Sequence, residues 1–221
     1  SRCLVGSEMC IRDRFKSISI LSGPSFSNEV SQSLPTAVTL ATKNKKDFDN
    51  ISKLIPNKEF RIYYSDDLIG TQIGGALKNI YAIAAGIAEG LNLGENAKSA
   101  LISRSFAEMT RYAKKFKADK NTLFGLSGLG DLILTCGSTN SRNTQFGIKL
   151  ASSKYDNFLD LLQSQEVTEG YYTVKAVYNI SQKHKIDMPI MESVYNILYK
   201  QHDLKEELSN LLSRPITEEK I

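Results

Sequence analysis

The stretch from Leu68 to Ala88, LIGTQIGGALKNIYAIAAGIA, constrains the fold more than any other part of the chain, because it carries one charge, Lys78, near its middle. A lysine at the centre of a bilayer costs about 3 kcal/mol, and Gly, Thr, Gln and Asn dilute the apolar content. The run therefore reads as a buried helix of a soluble protein and not as a membrane span. A helix buried on all sides needs a body around it. The 221 residues, 41% hydrophobic and 24% charged, have an ordinary globular composition, enough for one large domain or for one complete domain and part of another.

Charge and cysteine usage exclude several classes. Lys and Arg number 28 against 24 Asp and Glu, a net of +4, and no block of like charges exceeds two or three residues. Nucleic acid is not expected as a partner, while an anionic small molecule is permitted. The cysteines, Cys3, Cys10 and Cys136, are odd in number and lack CxxC spacing. Neither a disulfide framework nor a zinc site is supported, and a reducing cytoplasm fits. His184 and His202 lie far apart in lysine-rich surroundings, which argues against a metal or a Ser/His centre; no metal is expected. The first residues, SRCLVGSEMCIRDR, are broken by charges and have no apolar core of signal-peptide length.

Along the chain, residues 1–14 do not fit the pattern of the residues after them: CLVGSEMCIRDR resembles translated adapter sequence and is expected to be foreign to the fold, the alternative being a flexible leader. From Phe15 the pattern alternates. Ser17 to Leu21 is β-prone; Pro24 stands at a helix start followed by Phe26, Val30 and Leu34 at helical spacing; Thr36 to Ala41 reads as a strand. Asp47 to Ile55 reads as a helix ended by Pro56, and Phe60 to Tyr64 as a strand. This βαβαβ order predicts the later part of a parallel sheet. After Ser65 the strand signals stop. Ser65, Asp66 and Asp67 supply a cap and an acidic first turn for the long helix through Ala88. Helices are then expected over 96–116, around 122–124, and over 141–151, 158–164, 173–184, 189–199 and 204–212. The expected units are 15–65, an α/β portion; 66–214, an all-helical domain; and a tail over 215–221.

Four places carry candidate chemistry. Lys78 has Gly74, Gly75, Ala82 and Ala85 at i−4, i−3, i+4 and i+7, so a backbone or ligand can approach closely. An ammonium there loses hydration, which suits proton transfer; the alternative is a snorkelling or ion-paired lysine. Gly125, Gly128 and Gly130 mark a turn-rich loop delivering Asp131, which otherwise would be a simple capping residue. The run before this loop is helical, so it is not the G-x-G-x-x-G dinucleotide fingerprint. Ser141, Arg142 and Asn143 open a helix, where side-chain donors coincide with free N–H groups and suit a phosphate; the alternative is a polar helix start with a solvated arginine. Gly23-Pro24-Ser25-Phe26 occupies a strand-to-helix turn, a place where α/β sheets bind ligands, or a plain turn.

These residues carry a resemblance. GPSFSNEV with LPTAVTLAT, the block from FRIYYSDD through GGALKN to FAEMTR, then GLSGLGDLILTCGSTNSRNTQFG and VTEGYYT closely resemble the bacterial NAD(P)-dependent glycerol-3-phosphate dehydrogenase family, over about 17–214. The resemblance implies a fold that is mostly α with α/β, the C-terminal part of a Rossmann-type parallel sheet followed by an all-helical substrate domain. It implies Lys78 as catalytic proton carrier. Substrate contacts would be Gly23, Ser25, Lys78, Asp131, Ser141, Arg142 and Asn143, and cofactor contacts Ser27, Arg142, Val167 and Glu169. Asn79 and Thr135 would be polar groups behind them. The implied reaction interconverts dihydroxyacetone phosphate and sn-glycerol 3-phosphate with NAD(H) or NADP(H), in the cytoplasm and in phospholipid and carbohydrate metabolism; a homodimer is compatible.

One departure is large. The family opens with a βαβ unit bearing a glycine-rich fingerprint and carries a second substrate lysine, and this chain has neither. Sequence loss at the adapter-like end is the expected cause, and the chain alone is expected to be inactive. Two rival readings are a 6-phosphogluconate or ketopantoate type of dehydrogenase and a noncatalytic helical binding module.

Overall fold

The computed structural model describes residues 17–55, 58–152, 168–215 and 218. A small sheet and its helices come first: β1 Ser19–Ser22, α1 Ser27–Ser31, β2 Thr36–Thr42, α2 Lys45–Lys53 and β3 Phe60–Ser65. The helical body comes next: α3 Leu68–Gly90, α4 Gly94–Lys115, α5 Lys120–Phe124, a π turn Leu126–Gly130, α6 Asp131–Gly137, α7 Arg142–Ser152, α8 Glu169–His184, α9 Pro189–Lys200 and α10 Leu204–Leu212. The helix expected over 158–164 and the leader expected over 1–14 lie outside the described residues.

The sheet order is β1-β2-β3. Strands β2 and β3 are parallel, from Thr36 opposite Phe60 to Ala41 opposite Ser65. Strand β1 departs from the expected parallel sheet: it is antiparallel to β2, with Ser19 opposite Thr42 and Ser22 opposite Thr39. The physical reason is the connection. A parallel crossover usually runs through a full helix that carries the chain back along the sheet, whereas helix α1 is confined to Ser27–Ser31 and Ser33 turns the chain back at φ 56°. Pro24, Phe26 and Leu34, expected within that helix, fall outside it; Phe26 is its extended N-cap. β2 is the central strand, with Val38, Leu40 and Ala41 buried, while β3 alternates and leaves Tyr63 and Tyr64 exposed.

Helix α3 is the axis of the rest. Asp67 caps it and anchors it: Oδ1 accepts from Gly70 N at 2.9 Å as the cap, and Oδ2 accepts from Asp119 N at 2.8 Å, tying the helix start to the α4–α5 link. Leu77, Ile80, Tyr81, Ile83 and Ala85 are fully buried on successive faces, as in a helix enclosed by others. Two glycines let α7 press against it. A Cβ on Gly86 would stand 2.0 Å from the Thr144 carbonyl oxygen, and one on Gly147 2.2 Å from that of Ile83. Phe106 and Met109 from α4, Leu132 from α6, Phe146 from α7, Val174 from α8 and Met191 from α9 complete one continuous core around α3.

The expected glycine loop at 125–130 is a correction. Leu126–Gly130 forms a π turn that runs directly into α6. Gly128 permits it: a Cβ there would lie 2.1 Å from the Leu123 carbonyl oxygen, so only glycine lets the two backbone segments meet. Single π turns are uncommon and concentrate at functional sites.

Candidate active site

The π turn places Asp131 as the first residue of α6, against the middle of α3. Its Oδ2 accepts a hydrogen bond from Lys78 Nζ at 2.6 Å, the shortest ion pair among the described residues. The partners are unequally exposed: the Asp131 side chain is 3% accessible and that of Lys78 is 22%. The carboxylate is thus a buried post, while the lysine side chain is partly open to solvent. Gly74 brings this about, since a Cβ on it would collide with the Ser127 carbonyl oxygen at 2.1 Å and push the π turn away. Thr135 braces the post from one turn on, donating through Oγ1 to the Asp131 carbonyl at 2.6 Å and lying 3.3 Å from its Oδ1.

A second chain of polar groups runs from the next residue of α3. Asn79 Nδ2 donates to Glu169 Oε2 at 3.3 Å, and Asn79 Oδ1 accepts from Asn143 Nδ2 at 3.1 Å. Asn143 Oδ1 in turn accepts from Gly170 N at 3.0 Å, so its side-chain amide spans α3 and the first turn of α8. Ser141 Oγ accepts from Thr144 N at 3.3 Å and caps α7. Arg142 stands outside with Glu169, Nη2 to Oε1 3.3 Å, and their side chains are 80% and 66% exposed. Such a solvated pair contributes little to stability and is free to exchange partners.

The GPSF turn flanks this cluster. Gly23 adopts φ +147°, and a Cβ on it would meet Val38 Cα at 3.0 Å, so the turn needs glycine. Ser25 Oγ donates to Gly23 O at 3.0 Å. Pro24 lies beside Gly130 and Ser22 beside Gly75, which sets the turn next to both Lys78's helix and Asp131's π turn. Ser25 and Ser27 are exposed and make no hydrogen bond to the Lys78 cluster. The structure therefore joins Lys78, Asp131, Ser141, Arg142, Asn143 and Glu169 through contacts, sets Gly23 and Ser25 alongside, and leaves Ser27 apart. Val167 lies outside the described residues.

Comparison with known proteins places the chain in a family. The family described as NAD-dependent glycerol-3-phosphate dehydrogenase C-terminus matches residues 67–209, and the one described as its N-terminus matches residues 7–48. The chain belongs to the NAD-dependent glycerol-3-phosphate dehydrogenase family. It is 44% identical over 199 residues to a glycerol-3-phosphate dehydrogenase [NAD(P)+] of Colwellia psychrerythraea, covering 90% of this chain and 59% of that protein. The corresponding protein of Solidesulfovibrio magneticus is 46% identical over 210 residues, covering 95% and 62%. A crystal structure of glycerol-3-phosphate dehydrogenase from Coxiella burnetii superposes with a TM-score of 0.84 at 40% identity, covering 90% of this chain and 61% of that one. The chain thus spans about three fifths of the length of the curated relatives it matches.

Arg142 and Glu169 are exposed polar groups at the edge of the site, of a kind that a dinucleotide's phosphates and hydroxyls could engage. Arg142 and Glu169 present an exposed guanidinium and an exposed carboxylate beside Lys78's helix, while a G-x-G-x-x-G cradle for the pyrophosphate does not occur in the sequence. Cys136 is buried, and burial pushes its thiol up to about 12, which disfavours the reactive thiolate. Sequence reasoning missed Glu108. This carboxylate of α4 is 1% exposed, accepts from Ile190 N at 2.6 Å and Met191 N at 3.1 Å, and receives the Tyr81 hydroxyl at 3.3 Å. Its only sequence signal was a Glu between Ala107 and Met109 on an otherwise apolar helix face.

Proposed function

We propose that this chain carries the substrate half of a glycerol-3-phosphate dehydrogenase, interconverting dihydroxyacetone phosphate and sn-glycerol 3-phosphate with NAD(H) or NADP(H). The observation that carries the reading is the 2.6 Å contact between half-open Lys78 and buried Asp131. Hydride chemistry is what the dinucleotide supplies when bound, with Arg142, Glu169, Ser27 and Val167 as the residues of this chain that would hold it. The chain's own task is the proton. Lys78 Nζ gives one to the oxygen on C2 in reduction and takes it back in oxidation, acting as general acid and then general base. Asp131, fixed by Thr135, holds Nζ in place through each cycle, so that the ammonium does not have to be oriented anew. At the start of α7, Ser141, Arg142 and Asn143 neutralise the phosphate dianion with a guanidinium fork and the positive end of the helix. Gly23 and Ser25 close the substrate side. A cytoplasmic setting and a homodimer are compatible with this reading.

The test is a fusion in which the N-terminal nucleotide-binding segment of the Colwellia psychrerythraea relative precedes Ser17 of this chain. The reading expects oxidation of NADH or NADPH on addition of dihydroxyacetone phosphate, and none with 6-phosphogluconate or ketopantoate in the matching direction. Turnover of either of those two, with none of dihydroxyacetone phosphate, would overturn it.

A further inference from the structure

Two short basic runs that are far apart in sequence meet in the fold. Helix α4 ends in Lys114-Lys115, with Phe116 as its cap and Lys117 beyond; helix α8 ends in Lys183-His184, with Lys185 as its cap. The Phe116 and His184 rings touch edge to face at 5.6 Å, which sets the two helix ends side by side. Both ends close in the same way. Lys117 and Lys185 are left-handed at φ 58° and 54°, and Ala118 N and Ile186 N reach back to the carbonyls of Ala113 and Ser181. All five lysines are exposed, and none of them enters an ion pair among the described residues.

The two acids that follow the helix ends, Asp119 and Asp187, have partners of their own. Asp187 meets Arg214 at 3.0 Å and Arg111 at 4.0 Å, and its carbonyl accepts from Arg111 Nε at 2.8 Å; Asp119 caps α5. What sets the patch apart is its grouping: in a chain of net charge +4, five of the 28 Lys and Arg gather on two adjoining helix ends. Offsetting two helix dipoles needs about half a charge at each end, far less than five ammonium groups supply.

We propose that this joint end of α4 and α8 is a docking surface for an anionic lipid bilayer. The charges are lysines on exposed helix ends, hydrated point charges suited to a diffuse field of headgroup phosphates and not to the bidentate reading of a base or a carboxylate. The Asp187–Arg214 pair brings the end of α10 to the same edge, and there Leu212 stands 78% exposed, an apolar side chain able to enter the interface between headgroups. The Lys78 site is not involved, so the surface would serve to concentrate the protein at a membrane without touching its chemistry.

The experiment is co-sedimentation of the 221-residue chain with vesicles of phosphatidylcholine alone and with 30 mol% phosphatidylglycerol, at low and high salt. Binding to the anionic vesicles only, lost in 0.5 M NaCl, is expected. Replacing Lys114, Lys115, Lys117, Lys183 and Lys185 by Gln should weaken it at least tenfold, while a control of equal charge change on other lysines (Lys43, Lys45, Lys46, Lys53 and Lys58 to Gln) should change it less than threefold. Leu212→Ser should weaken it severalfold at unchanged net charge. Thermal melts of all variants check that folding is intact. Equal loss in both lysine sets would reduce the effect to net charge and overturn the proposal. So would binding that ignores phosphatidylglycerol, or displacement from vesicles by duplex DNA at equal phosphate concentration.

Discussion

At the scale of single residues, the division of labour between Lys78 and Asp131 comes from their exposure. The buried partner cannot move and the half-open one can, so loss of Asp131 and loss of Lys78 should differ in kind. Asp131→Asn keeps size and a hydrogen-bond acceptor but removes the charge facing the ammonium; in the fusion enzyme kcat should fall by about 10² with little change in KM, because Nζ is then no longer held over the reacting oxygen. Steady-state kinetics would check it, and a change confined to KM would contradict the positioning role. Arg142→Lys tests the phosphate grip. The point charge survives but the planar fork does not, so the apparent affinity for glycerol 3-phosphate should drop by about 1.5–3 kcal/mol. Lys78 stood out in the sequence as the single charge among small neighbours, but Gly74 serves close packing against the Ser127 carbonyl, so the residues alone left a plain ion-paired lysine open. Its partner could not be identified from the residues alone, since 53 residues separate the pair and several acids were available. Thr135, Asn79 and Asn143 belong to the same class of contact, made across elements and invisible to spacing.

At the scale of elements, the site depends on backbones that touch. Gly86→Ala puts a methyl into the Thr144 carbonyl and must part α3 from α7, so a loss of about 2 kcal/mol in urea unfolding is expected. Gly137→Ala meets nothing within 4 Å and should leave the midpoint unchanged or slightly raised. Equal effects of the two would refute the close-contact account. The joint of α4 with α9 adds a pH dependence. Burial raises the Glu108 carboxyl from its ordinary 4.5 to about 7, against the lowering pull of the Ile190 and Met191 N–H groups and of Arg111. Because the folded value lies above the unfolded one, the folded state binds the extra proton. Its stabilising effect is complete below about pH 4.5 and lost as pH rises through 7, a change of roughly 3 kcal/mol. Melting curves between pH 5 and 8 should show that decline in the wild type and a flatter profile in Glu108→Gln; parallel profiles would mean that Glu108 stays ionised throughout. The element boundaries themselves were largely readable, because caps such as Asp67 and apolar periodicity are local. The antiparallel β1 and the π turn were not, as each is decided by how a short connection packs against distant backbone.

At the scale of the whole molecule, the sequence showed a strand-bearing segment followed by a helical body, and the fold turns that linear change of pattern into a site where the GPSF turn meets α3 and the π turn. What remained hidden was charge: two basic runs too short to notice separately form one surface once α4 and α8 end side by side. The chain has no G-x-G-x-x-G, so by itself it should bind NADH no better than millimolar, and calorimetry showing micromolar affinity would contradict the proposal that Arg142 and Glu169 hold only part of the dinucleotide. The most direct test of the central claim, that Lys78 carries the proton, is the turnover of the fusion enzyme with Lys78→Met, accompanied by a thermal melt. Methionine keeps the stem's bulk and removes every exchangeable proton, so the account predicts an intact melt and a fall in kcat of about 10² to 10⁴. Near-wild-type turnover with that substitution would contradict it.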